Sequence, residues 1–301
     1  MNSQRKKNIR LMITLAIMIA LTIVTAMLLE PADQLDVDRD LFKVIETDKI
    51  DQVMIDDVVL TYGDNLWVVN NQNKADPQRI KVLFAILQQV KVRRKVSARQ
   101  RDTIKAGQPK EIALLDHGEV LRKIYVWGNA ESGLTYMSDG DNDLYLVEIP
   151  GYRSYLAGIF QLDANEWRYP IVFDINWSNL ARVQVDYPGP KDNALQIMFD
   201  NNTLILEGVK SDSSKLEDYV NDISLLYVND YLTQAEVDSM ANSTVRATFT
   251  ISDIAGNQYY LEVYNQQGSE YLVRIDSLEY ALMDATLVKR VTKPRAYFTM
   301  K

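Results

Sequence analysis

ADPQRIKVLFAILQQVKV, residues 75–92, has the spacing of an amphipathic helix. Asp76 stands where a side chain can cap the first backbone amides, and Pro77 stands where the missing N–H costs nothing. Ile80, Leu83, Phe84, Leu87 and Val90 recur every three or four residues, so one face is apolar. SDSSKLEDYVNDISLLYV, residues 211–228, repeats the pattern: Asp212 takes the cap, and Leu216, Tyr219, Val220, Ile223 and Leu226 share a face. Both ends are shifted by the same 136 residues (211 − 75 and 228 − 92). Helices are therefore expected over 76–92 and 212–228, one in each of two copies of a unit.

The flanks support a duplication. Extended segments are expected at 42–45, 50–55, 58–62 and 66–70 before the first helix, and at 112–115, 120–126, 136–137 and 144–149 after it. Leu180-Ala-Arg-Val-Gln-Val echoes Ile50-Asp-Gln-Val-Met-Ile 130 residues on (180 − 50), and Tyr271-Leu-Val-Arg-Ile echoes Tyr145-Leu-Val-Glu-Ile 126 residues on (271 − 145). Phe173-Asp-Ile echoes Phe42-Lys-Val, and leucines 278, 282 and 287 suggest a closing helix or turn. Short turns between strands favour antiparallel pairing. The expected class is α+β: a transmembrane helix, then two tandem repeats, each a mostly antiparallel sheet with one packed helix. The divisions are a basic tail (1–10), a membrane helix (11–29), an acidic linker (30–40), a first repeat (41–150), a packed aromatic connector (151–170) and a second repeat (171–301).

Composition narrows the chemistry. The 301 residues carry a formal charge of −8, which argues against a general nucleic-acid binder. There is no cysteine, so disulfides, thiolate metal sites and cysteine nucleophiles are excluded. His117 is the single histidine, beside Gly118 in an expected turn. No Gly-rich phosphate loop, HExxH or G-x-S-x-G occurs. No enzyme activity and no cofactor are expected.

Residues 11–29, LMITLAIMIALTIVTAMLL, contain no charge. As a helix they span roughly 28 Å, close to the hydrocarbon thickness of about 30 Å. Arg5, Lys6, Lys7 and Arg10 precede the run and acidic residues follow it, which places the N-terminus in the cytoplasm and the bulk of the chain across the membrane. Cleavage as a signal peptide after Val24-Thr25-Ala26 is the alternative.

Three stretches are candidate sites. Arg93, Arg94, Lys95, Arg99 and Arg101 follow the first helix and reverse the local charge; they form either a solvated helix end or a docking patch for an acidic partner or anionic lipid. Tyr152, Tyr155 and Trp167 lie in the aromatic connector and could line a groove between the repeats, although such clusters are more often core. Glu166 and Arg168 flank Trp167 as a candidate pair. Asp139 to Asp143 superficially suggests a calcium loop, but Leu144 and Pro150 occupy the sixth and twelfth positions, where Gly and Glu are needed; a polar turn is expected.

FKVIETDKIDQVMI, IPGYRSYL and NEWRYPIVFDI, with the apolar N-terminal run, resemble an uncharacterised bacterial envelope family, a domain of unknown function. The likeness spans residues 41–301 and includes Trp67, Asp76, Pro150, Gly151, Tyr152, Trp167 and Arg168. It implies an association with auxiliary components of gliding-motility-type ABC transporters and supplies no catalytic residues. The expected function is a non-catalytic, membrane-anchored periplasmic scaffold in a complex with an ABC permease or other envelope proteins. The alternative is a periplasmic module that binds a glycan, peptide or small solute between the repeats.

Overall fold

The computed structural model describes residues 14–15, 18–19, 37–189, 194–200, 203–240 and 244–300. It divides into two compact units: Met1–Gly63 with Gln78–Gln161, and Asp64–Pro77 with Leu162–Lys301.

In chain order the first half holds β1 (Gln52–Ile55), β2 (Val58–Gly63), β3 (Leu66–Val69), β4 (Asn73–Lys74), α1 (Pro77–Gln89), β5 (Lys91–Lys95), α2 (Ala98–Lys105), β6 (Lys110–Asp116), β7 (Glu119–Asn129), β8 (Leu134–Ser138) and β9 (Tyr145–Glu148). Within the first unit the strands run β2-β1-β6-β7-β8-β9-β5, and the pairs are antiparallel. The β6–β7 hairpin turns on His117 (φ 48°) and Gly118 (φ 83°), both left-handed as a two-residue turn between twisted strands demands. Ile124 and Val126 of β7 are buried, and Gly128 continues their row. A Cβ there would lie 2.5 Å from the Ala157 Cβ and would meet the Tyr155 hydroxyl, so glycine lets the 3-10 turn Leu156–Gln161 approach β7. The Ala157 amide donates to the buried Thr135 hydroxyl (2.9 Å) and holds that turn in place. Trp127, Leu134 and Tyr136 pack against a small separate cluster, Val96, Leu144 and Leu146, together with Ile104 of α2.

The second unit takes in β3 and β4, then β10 (Leu180–Asp186), β11 (Leu195–Asp200), β12 (Thr203–Leu206), α3 (Ser213–Ser224), β13 (Asp230–Tyr231), α4 (Gln234–Ser239), β14 (Ala247–Asp253), β15 (Gln258–Gln267), β16 (Glu270–Ile275), β17 (Glu279–Asp284) and α5 (Ala285–Val291). Its eight-stranded sheet runs β12-β11-β10-β14-β15-β16-β17-β13, with antiparallel pairs. Ala247, Phe249 and Ile251 alternate inward along β14, opposite Val263, Leu261 and Tyr259. Leu216, Tyr219, Val220 and Ile223 of α3 and Leu287, Val288 and Val291 of α5 join that inner row in one core. The Asp212 carboxylate accepts from the Ser214 and Lys215 amides, as its cap position requires.

Both sheets are α+β in character, and several expected details change. α1 stops at Gln89 and α3 at Ser224, short of the expected 92 and 228, because the chain after α1 pairs with β9: Lys91 faces Glu148 and Lys95 faces Tyr145. The cations after α1 therefore begin on a strand, not at a helix end. Phe42 to Ile45 form no strand; they are turn and extended chain, with Phe42 fully buried and the Val44 amide bonded to the Leu87 carbonyl. Each unit carries more than one helix. The aromatic connector carries the 3-10 turn Leu156–Gln161, and the segment after Ser277 is β17 followed by α5.

The expected anchor at 11–29 and the first part of the acidic linker lie outside the described residues, except that Thr14, Leu15, Met18 and Ile19 are described and helical. Among the described residues no helix is long and apolar enough to cross a membrane.

Candidate functional site

β5 is the last strand at one end of its sheet, so its outer edge is a surface where another chain could add. Its sequence, Lys-Val-Arg-Arg-Lys, is cationic, and a bulge breaks the register between Val92 and Arg94. Charge and bulge on an edge strand also deter unwanted pairing, which is the structural reason for such a composition.

Most of the positive charge is answered within the unit. Lys91 meets Asp40 at 3.6 Å, Arg93 meets Glu148 at 3.6 Å, Lys95 meets Asp143 at 2.5 Å and Lys110 meets Asp56 at 2.9 Å. The Asp143 hydrogen bond raises the Lys95 pKa above its ordinary value. Arg101 lies 3.3 Å from its neighbour Asp102. Pairs this exposed contribute about 0–1 kcal/mol each, but they cancel the field expected from the cations alone. Arg94 and Arg99 make no ion pair among the described residues; Arg94 bonds only weakly to the Lys95 carbonyl (3.4 Å).

The aromatic candidates separate. Tyr152 (69% exposed) and Tyr155 belong to the first unit, and the Tyr155 hydroxyl donates to Gln161 Oε1 at 2.9 Å. Trp167 belongs to the second unit and is fully buried, so its ring is core and lines no open groove. Glu166 accepts from the Asp163 amide (2.8 Å) and does not partner Arg168. Arg168 instead reaches Glu279 at 2.6 Å and stacks 3.5 Å from the centre of the Tyr231 ring. Backbone bonds from Asp76 to the Trp167 carbonyl and from Tyr169 to the Lys74 carbonyl, both 2.8 Å, fasten the β3–β4 segment to this connector. The loop from Asp139 to Asp143 is a polar turn between β8 and β9, with Ser138 Oγ donating to the Asp141 carbonyl at 3.1 Å.

Among the described residues, Asp51, Asp116 and His117 place three potential metal-ligand atoms within 4.8 Å of one another. The His117 side chain is 90% exposed. Its Nδ1 bonds to Asp116, and its backbone amide donates to Asp51 at 3.0 Å, so the carboxylates fasten the β6–β7 turn. The Asp116 hydrogen bond, then the charges of Asp116 and Asp51, raise the imidazole pKa above 6.5. This cluster was not legible, because 65 residues separate Asp51 from Asp116 in the sequence.

Two open clefts lie on the described surface. One, of about 530 Å³ in the first unit, is lined by Lys43, Ile45, Lys49, Leu121 and Arg122 among others. The other, of about 540 Å³ in the second unit, is lined by Tyr187, Pro188, Arg246, Asn265 and Pro294 among others.

A family profile described as "Domain of unknown function (DUF4340)" matches residues 67–263, from β3 into β15. The chain belongs to the DUF4340 family. The DUF4340 match covers strands of both units, and its description names no activity, ligand or transporter. No curated protein and no solved structure matches the chain.

Proposed function

We propose that this DUF4340 protein is a membrane-anchored, non-catalytic interaction module on the periplasmic side of the inner membrane, accessory to an ABC-type transporter or another envelope machine. The observation that carries the reading is the cationic end strand β5, where Arg94, together with Arg99 at the start of α2, makes no ion pair among the described residues. The uncharged run at 11–29, behind four basic residues, supports the anchor and its orientation. The resemblance to an envelope family supplies the transporter context, which is an analogy and not a shared site.

The scaffold is two copies of one unit. Support comes from the matched paths: β2-β1-β6-β7-β8-β9-β5 in the first sheet and β11-β10-β14-β15-β16-β17-β13 in the second follow the same order when strands are counted along the chain. A helix follows the early strands in both, α1 and α3, at the offset read in the sequence.

Purification of the intact chain from membranes in mild detergent tests the docking role. An acidic membrane partner held by wild type and released by R94E/R99E supports it; equal recovery of that partner with the variant removes β5 as the docking surface.

A further inference from the structure

We infer that the second unit holds a binding site for a carboxylate carried on an apolar body, in the cleft where the chain leaves β10, enters β14 and leaves α5. The inference does not rest on the docking role of β5.

The cleft is open, with Arg246 exposed at its mouth, and offers about 540 Å³, within the range of about 300–1,000 Å³ typical of small-ligand sites. Among the described residues eight line it, and none of these is acidic. Arg246 is the single cation among them, and it makes no ion pair among the described residues. Its position is set twice: the backbone amide donates to the Val263 carbonyl at 2.7 Å, and the side-chain Nε donates to Asn265 Oδ1 at 2.7 Å. Among the described residues, that second bond leaves the two terminal guanidinium nitrogens and the Asn265 Nδ2 as unspent donors.

Three carbonyl acceptors at and just after the adjoining end of α5 are already taken. The Tyr219 hydroxyl donates to the Val291 carbonyl at 2.7 Å, Tyr187 donates to the Lys293 carbonyl at 2.9 Å, and Thr292 Oγ1 donates to the Val288 carbonyl at 2.8 Å. A helix C-terminus left bare would favour a cation. Here the Val288 and Val291 carbonyls are bonded, and the cleft offers donors beside one positive charge. A planar carboxylate matches a guanidinium fork through two parallel hydrogen bonds, and Asn265 can supply a third donor. One cation suits a monoanion better than a phosphate dianion. The Tyr187 ring, Pro188, Val245 and Pro294 supply rigid apolar wall for the rest of the ligand. A bland alternative exists: Arg246 and Asn265 would be an ordinary cross-strand pair near the end of a sheet.

Titration calorimetry on the full chain in detergent separates the two. The probes are phenylacetate, an N-acetylated dipeptide ending in a free carboxylate, the amide of each, and inorganic phosphate. The expected result is binding of at least one acid, at least about tenfold weaker binding of its amide, and a loss of about tenfold or more in R246Q with an unchanged melting temperature. R246K, which keeps charge without the fork, should fall between. Binding of phenylacetate alone assigns a free acid, and binding of the peptide alone assigns a chain terminus. Equal binding of acid and amide, tighter binding of phosphate, an unaffected R246Q, or no acid bound by wild type would each overturn the site.

Discussion

Arg168→Ala should be among the more damaging single changes that leave the second unit's inner apolar row untouched. The Arg168 side chain is only 12% exposed, with its guanidinium 3.5 Å from the Tyr231 ring centre and 2.6 Å from Glu279. A desolvated cation–π contact contributes about 2 kcal/mol. Glu279 is 40% exposed, so the ion pair is screened and contributes about 1 kcal/mol at most. Together they give about 2–3 kcal/mol for R168A. Glu279→Gln should cost about 1 kcal/mol or less, because the ring contact survives. Urea unfolding followed by tryptophan fluorescence measures both, with Trp167 next in sequence to the perturbed residue. At about 2–4 °C per kcal/mol for a unit of this size, R168A should lower the transition by roughly 4–12 °C. An R168A effect below about 0.5 kcal/mol would refute the stacking argument. Equal losses in R168A and E279Q would show that the ion pair, and not the ring, carries the contact.

Gly128→Ala should destabilise the first unit by about 1–3 kcal/mol, because the new methyl collides with Ala157 and Tyr155, whereas Gly63→Ala has nothing within 4 Å and should be near neutral; chemical denaturation compares them. His117, the single histidine, gives the chain's one imidazole Hε1 resonance, and it should titrate above 6.5. Asp116→Asn should lower that pKa more than Asp51→Asn, since the Asp116 hydrogen bond is the larger cause. A raised folded pKa means that any stabilisation is fully present below 6.5 and is lost as pH rises through the folded value; in so exposed a side chain it is small. A titration at or below 6.5 would mean that the turn is arranged differently.

The two long helices were legible because burial imposes a 3.6-residue period on the sequence, and Asp212 even marked its own cap. Their ends were not. Val90 continues the apolar period of α1, but Lys91 to Lys95 gain more by pairing with β9 than by extending the helix, a tertiary choice that local spacing does not record. Phe42 shows the converse: a residue can be fully buried while its backbone forms neither strand nor helix. Which cations of the patch are paired was not legible, because their partners, Asp40, Asp143 and Glu148, lie about fifty residues away along the chain. Trp167 was visible as an aromatic, but whether a tryptophan lines a groove or fills a core depends on packing alone. The cleft around Arg246 gave no sequence signal, since its walls come from the ends of β10, β14, β15 and α5.

Quantitative mass spectrometry of the intact chain purified from cross-linked membranes tests the anchored-module proposal most directly. An interaction module should arrive with its residues 1–29 retained and with one envelope complex, such as an ABC permease, in comparable amount, and R94E/R99E should deplete that complex. A chain that begins at Met27, or that is recovered alone from cross-linked membranes, would contradict it.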